Sequence, residues 1–281
     1  MELVVQAALI GLLQGLTEFI PISSSAHLAL APWIAGWDTH GLIGSLAFDV
    51  FLHLGTLIAL LAYFARDWLR YLRAIVASLR ERRIGSDPDR RMAWLLVAAT
   101  VPAALIGFAF EGLIAETFHG DSDPARLAIA GFMVLGAIGL LVADRLGRHD
   151  REMEQLTTRS ALAIGLSQAL ALLPGISRSG ATITAGLGLG LTREAAARFS
   201  FLLATPITLG AGLYGSRKLL TEAHPGNEWL AMVVGFGVAA LSGTIAIGFL
   251  LAWLRRRSVT IFSVYRIAFA ALVVGLVVIG R

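Results

Sequence analysis

Two short runs hold most of the residues in this chain that could do chemistry. The first is Gln14-Gly-Leu-Thr-Glu18-Phe-Ile-Pro21-Ile-Ser23-Ser24-Ser25-Ala-His27. Gln14 and Glu18, four apart, share one face of a helix, and Ser24 and His27, three apart, share a face of the next. Ser24 or Ser25 could attack an electrophile with His27 as general base within one turn. Glu18, with Gln14 and Asp49, could hold a divalent cation through hard oxygen donors. The structural alternative is that Ser23 caps a helix and Glu18 is satisfied by a buried partner.

The second run is Pro174-Gly-Ile-Ser177-Arg178-Ser179-Gly180-Ala-Thr182. Arg178 is the only charged residue between Arg159 and Arg193. A lone arginine in apolar sequence needs an anion. A protein carboxylate such as Glu18 or Asp49 could serve, and so could a phosphate, whose oxygens match the planar guanidinium in bidentate fashion. The neighbours favour phosphate. Gly175 and Gly180 admit close backbone approach, Ser177, Ser179 and Thr182 add hydroxyls, and a new helix begins just after the break with its amides facing the site. Ser23 and Ser25 would add donors from the first run. Two helix starts, hydroxyls and a guanidinium suit a polyanion better than a sugar or a lone cation.

The elements that must carry these runs are written in the hydropathy. Of 281 residues 57% are hydrophobic and 15% charged, and the mean hydropathy is +0.75. The apolar residues come in long blocks, so the solvent is lipid. Spanning helices are predicted near 47–65, 92–112, 125–143, 196–216, 228–253 and 260–280. Two further apolar stretches, 3–35 and 160–192, are interrupted by Pro21 with its serines and by Pro174-Gly175 with Ser177 to Gly180. Such interruptions predict broken or re-entrant helix pairs, tolerated at membrane depth only beside protein or a polar cavity. There are no cysteines, which excludes disulfides and thiolate metal sites. Glu2 stands where a basic leader would begin, so no removable leader is expected. The pI near 10.1 reflects arginines at the ends of apolar blocks, a topology signal rather than a nucleic-acid surface.

Shifting the chain by 154 residues aligns the two interrupted stretches, with nine identities in twenty over 7–26. Gln14/Gln168, Gly11/Gly165 and Ser23/Ser177 are pairs that apolarity does not explain. Three predicted crossings lie between the copies, so the second is inverted, as in many transporters whose sites lie where broken helices meet. The expected class is an all-α polytopic membrane protein, one integral domain over 1–281, with repeats of about 1–143 and 155–281, two re-entrant pairs and about six transmembrane helices. Segment 66–91 has eight arginines against four acids. It is therefore placed in the cytoplasm with 144–159 and 255–257, and the acidic 113–124 outside. The 217–227 connection then falls outside despite Arg217 and Lys218. Residues 66–91 could form an interfacial amphipathic helix or a solvated linker. Asp49 and His53 could face the site or only the interface. Arg193, Glu194 and Arg198 read as a cytoplasmic boundary, and His40, His119, His149 and His224 as solvated.

At these residues the chain resembles the undecaprenyl-diphosphate phosphatase family, the bacitracin-resistance type of bacterial inner-membrane protein. That family carries Glu/Gln-x-x-x-Glu followed by Pro-x-Ser-Ser-[Ser/Thr]-x-His, here Gln14, Glu18 and Pro21 to His27, and Pro-Gly-x-Ser-Arg-Ser-Gly-x-Thr, here Pro174 to Thr182. The resemblance runs the full chain. It implies removal of the terminal phosphate of undecaprenyl diphosphate, recycling the lipid carrier of cell-wall synthesis, with a divalent cation (Mg2+ or Ca2+) on the periplasmic side. It implies catalytic roles for Glu18, Ser24, His27 and Arg178, with Ser24 as the nucleophile and His27 or water as the alternatives that the sequence leaves open. Gln14 is the permitted variant at the first acidic position and weakens any mechanism that needs two carboxylates there. Ala26 stands where glycine is common. A transporter or flippase for an isoprenyl phosphate lipid is the alternative. A homodimer is compatible with the sequence, which leaves the oligomeric state open.

Overall fold

The structure, a computed structural model, describes the backbone of residues 1–39, 41–118, 122–221 and 226–280, and the side chains of all of these except 111–118, 216–221 and 226–227. His40, His119, His224 and Asp121 lie outside the described residues, as do the side chains of Glu116, Arg217 and Lys218.

The described residues form helices α1 (Glu2–Phe19), α2 (Ser24–Ala35), α3 (Leu46–Tyr63), α4 (Ala65–Glu81), α5 (Pro88–Phe118), α6 (Asp123–Leu146), α7 (Thr158–Ser167), α8 (Arg178–Gly188), α9 (Arg193–Thr221), α10 (Gly226–Leu254) and α11 (Thr260–Val278). Tighter helical turns lie at Leu42–Gly44, Met153–Gln155 and Gln168–Leu172. Seven of these helices are long and apolar enough to cross a membrane. Six coincide with the predicted spans. The seventh is α1, whose eighteen helical residues are themselves long enough to qualify before the break midway along the 3–35 stretch. At 1.5 Å per residue these reach about 27 Å, nearly the hydrocarbon thickness of a bilayer. Residues 66–91, read as either an interfacial helix or a linker, are helical over α4.

α1 lies along α10 and α7 along α5, while α3 meets α9 and α6 meets α11. The aligned glycines mark the two former crossings. A methyl group at Gly11 would run into the Gly235 carbonyl, and one at Gly165 into that of Ala99. Only a residue without Cβ lets these backbones close up, the small-residue packing common between membrane helices. Phe19 at the end of α1 is sealed against Phe201 of α9, ring centroids 5.5 Å apart. This fixes the point where the first break leaves its helix.

At one end of the bundle, Asp144 of α6 accepts from Arg193 Nε of α9 and from Ser258 Oγ at 2.7 Å. His149, expected to be solvated, is instead only partly exposed and contacts the carbonyls of Asp144 and Leu191 through its two ring nitrogens. Arg198 pairs with Asp67, and Glu194 with Arg255. The residues read as a boundary therefore form a set of ties between helix ends.

Candidate active site

The two breaks have one local geometry. Pro21 has no amide to continue the α1 ladder, and the chain turns through Ser23 at φ 78° and ψ 93° into α2. At the second break it turns through Ser177 at φ 73° and ψ 122° into α8. Both serines hold a left-handed φ that costs a non-glycine residue about 1–3 kcal/mol. Each hydroxyl caps its own helix: Ser23 Oγ accepts from the Ala26 amide at 3.4 Å and Ser177 Oγ from the Gly180 amide at 3.1 Å. In each, the capping hydroxyl also lies 3.2 Å from the serine two residues on, Ser25 or Ser179. The amides of Ser24 and Ser25, and of Arg178 and Ser179, are first-turn groups that a helix itself leaves without acceptors.

The breaks meet at Glu18. One carboxylate oxygen accepts from Arg178 Nη2. The other accepts from Ser24 Oγ at 2.6 Å and from Gln14 Nε2 at 3.2 Å, with His53 Nε2 at 3.7 Å. Ser179 Oγ donates to the Glu18 carbonyl at 3.1 Å. Arg178 Nη1 is steadied by Thr208 Oγ1 and the Ala204 carbonyl of α9. A guanidinium and a hydroxyl from opposite breaks thus converge on one buried carboxylate. His53, which the sequence left between site and interface, lies beside Glu18 at this junction. Asp49 contacts His53 through its backbone carbonyl, 2.7 Å from Nδ1.

The structure does not join Ser24 to His27. His27 Nδ1 lies 2.7 Å from the Ser23 carbonyl, an acceptor only, so Nδ1 carries the proton. In neutral His27, Nε2 then accepts from Tyr265 Oη at 2.7 Å. The ring is stacked on Phe269 at 4.5 Å and on Tyr265. With both nitrogens engaged, His27 is not placed to take a proton from Ser24. The group that accepts the Ser24 hydroxyl is Glu18.

Of the hydroxyls expected to bind phosphate, Ser25 is exposed and Ser23, Ser177 and Ser179 are buried at the junction. Thr182 is turned elsewhere: its hydroxyl bonds Ser200 Oγ of α9 at 2.6 Å and the Arg178 carbonyl at 2.8 Å. It braces the second break from behind.

Arg266 of α11 went unread in the sequence. It is fully buried. Its Nη2 donates to the carbonyls of Gly175 and Ile176 at 2.7 and 2.9 Å, its Nη1 to that of Pro21 at 3.5 Å, and its Nε to that of Met133 at 3.1 Å. One side chain thereby ties both breaks to α6. The signal was available: Arg266 is the only charged residue between Arg257 and Arg281, the same criterion that picks out Arg178.

A hard divalent cation needs oxygen donors. Gln14 Oε1 is buried with no hydrogen-bond partner, and its orientation is settled because the amide nitrogen must face the Glu18 carboxylate. With Glu18 beside it, the pair fits one edge of such an ion. Among the described residues no group of three or more His, Asp and Glu gathers into a metal cluster. Water and phosphate oxygens would have to complete the shell, as they do for Mg2+ at phosphate sites.

Comparison with known proteins decides the family. The profile described as "Bacitracin resistance protein BacA" matches residues 7–272. The chain belongs to the BacA family. It is 46% identical over 274 residues to a protein of Pelobacter propionicus named "Undecaprenyl-diphosphatase", covering 98% of this chain and 97% of that one. It is 45% identical over 278 residues to the protein of that name from Thermomicrobium roseum, with 98% and 99% covered. For that of Geobacter sulfurreducens the identity is 44% over 264 residues, with 94% of each covered. The BacA family and the seven apolar helices make this a multi-pass membrane protein.

Proposed function

We propose that this chain hydrolyses undecaprenyl diphosphate to undecaprenyl phosphate and inorganic phosphate, which recycles the lipid carrier of cell-wall synthesis. The observation that carries the mechanism is the convergence of Ser24 and Arg178 on Glu18. The names of the relatives favour this phosphatase over a lipid transporter.

The terminal phosphate takes the place of Glu18 on Arg178, whose guanidinium can bind two of its oxygens. The first-turn amides of α2 and α8, with Ser25 and Ser179, surround the remaining oxygens. Ser24 Oγ attacks the terminal phosphorus while its proton passes to Glu18. The bond from that phosphorus to the bridging oxygen breaks, and undecaprenyl phosphate leaves with the electron pair. Glu18 passes that proton to the departing phosphate, then takes one from the water that attacks the phosphoserine and returns it to Ser24 Oγ as inorganic phosphate leaves. His27 keeps the start of α2 in place through Ser23 and Tyr265. A divalent cation, Mg2+ or Ca2+, held by Glu18 and Gln14 would neutralise charge on the phosphates. Asp49 is a further carboxylate on the same side of α3 as His53.

The placement is a bacterial inner membrane. Arginine-rich 66–91, 144–159 and 255–257 support a cytoplasmic position for those segments, and the site then opens to the periplasm. The matching geometry of the breaks and of Gly11 and Gly165 supports an inverted repeat of about 1–143 and 155–281.

The test is phosphate release from a long-chain isoprenyl diphosphate by purified protein in detergent, with and without Mg2+ or Ca2+. Release by the native chain and its loss in Ser24→Ala and Glu18→Ala are expected. Trapping of labelled phosphate on the native protein, absent from Ser24→Ala, identifies the nucleophile. Full activity of Ser24→Ala would remove it from the covalent step.

A further inference from the structure

Helix α4 divides into distinct longitudinal faces. Tyr71, Ala74 and Ser78 are buried against the protein, with Trp68 and Ile75 packed beside them. Trp94 Nε1 donates to Ser78 Oγ at 3.0 Å, and Arg198 of α9 holds Asp67 at 2.7 Å. The helix is thus fastened near both ends. At about 100° per residue, Leu69, Leu72, Val76 and Leu79 form a second stripe, on one flank of the first. They are 47–60% exposed. Arg66, Arg73 and Arg80, seven residues apart, form a third stripe roughly opposite the protein. The remaining flank carries Asp67, Arg70 and Glu81.

The arginines of the basic stripe differ from Arg70 and Arg90 in having no ion-pair partner among the described residues. Arg70 is paired with Asp67, and Arg90 forks Glu81 at 2.6 and 2.7 Å. Arg66, Arg73 and Arg80 are exposed and form no ion pair among the described residues. The apolar stripe continues the lipid-facing surface of α3, whose exposed Leu61 and Tyr63 lead directly into α4. A helix with the protein on one side, leucines on one flank and unpaired arginines at the edge of those leucines has the arrangement of one lying in a bilayer interface.

We propose that α4 is a binding surface for acidic phospholipid. The leucine stripe enters the acyl boundary of one leaflet, and Arg66, Arg73 and Arg80 hold the phosphodiester and acidic headgroups along its rim. Arg66, Arg73 and Arg80 lie outside the Glu18 site, so the surface does not depend on the catalytic assignment.

The experiment uses the full chain in nanodiscs of phosphatidylglycerol or of phosphatidylcholine with the same acyl chains. Slower amide hydrogen exchange over 65–81 in the phosphatidylglycerol discs is expected, together with retention of several-fold more phosphatidylglycerol than phosphatidylcholine by native mass spectrometry. The triple variant Arg66→Gln, Arg73→Gln, Arg80→Gln should lose both differences and keep its phosphatase rate in phosphatidylcholine. Arg82→Gln with Arg83→Gln, beyond the helix, should keep both. Equal exchange and equal lipid retention by the native chain in the two bilayers would overturn the proposal without needing any variant. So would undiminished preference in the triple variant, and so would a preference lost equally in the Arg82, Arg83 pair.

Discussion

At the first break the chain passes through Ser23 at φ 78°, and at the second through Ser177 at φ 73°; both hydroxyls cap the helix that follows. Around this shared turn the side chains diverge. Position 24 is serine and its counterpart 178 is arginine; position 18 is glutamate and its counterpart 172 is leucine. The preceding helix follows the same division. α1 stays α-helical through Gln14 to Phe19, whereas α7 stops at Ser167 and tightens from Gln168 onward. Gln14 has Glu18 as a partner, while Gln168 is 4% exposed with neither end of its amide bonded. The two breaks share one backbone geometry. The first carries the Ser24 hydroxyl and the carboxylate that accepts it, and the second carries the guanidinium to which the proposed mechanism assigns the phosphate.

The sharpest way to break this comparison is to remove the unlike members. Arg178→Ala should lower kcat by about a thousandfold, the scale for a charged donor aimed at developing negative charge. Steady-state phosphate release measures it, and a loss below tenfold would contradict the division of labour. Glu18→Gln should cost about a hundredfold or more in kcat through loss of the proton acceptor. In the same assay His27→Gln should cost less than Glu18→Gln; the reverse order would return His27 to the role of base.

The shared members should respond alike. Gly11→Ala and Gly165→Ala each force two touching backbones apart and should each destabilise the fold by about 1–3 kcal/mol. Thermal unfolding in detergent reads this, and a large shift in only one of them would show that the two crossings are not equivalent. The smallest effect is expected at Gln168. Gln168→Leu removes a buried amide without partners and should leave activity intact while holding or raising stability by about 1 kcal/mol. Gln14→Leu should lower activity.

Much of this was legible in the sequence. Six predicted spans lie within a few residues of observed helices because long apolar blocks leave a bilayer segment no alternative to helix. The breaks were legible through Pro21, Pro174 and the serines beside them. The partner of Ser24 was not. Glu18 lies on the other side of a turn, and helical spacing speaks only for residues on one helix; it pointed to His27, whose ring nitrogens here meet the Ser23 carbonyl and Tyr265. Arg266 met the same criterion as Arg178 but sits in a stretch without glycine–serine context, and its partners are carbonyls, which sequence does not distinguish. Thr182 shares a motif with Arg178, yet the turn of α8 points it at Ser200.

The guanidinium of Arg266 rests on carbonyl oxygens from both breaks, and carbonyls do not titrate or exchange with phosphate. The Arg178–Glu18 contact joins the same two segments through a carboxylate that a phosphate can replace. The junction therefore has a fixed pin beside a clasp that can open. In the proposed mechanism a phosphate displaces Glu18 from Arg178; the clasp would then release while the pin holds, and the two breaks would admit an anion without coming apart.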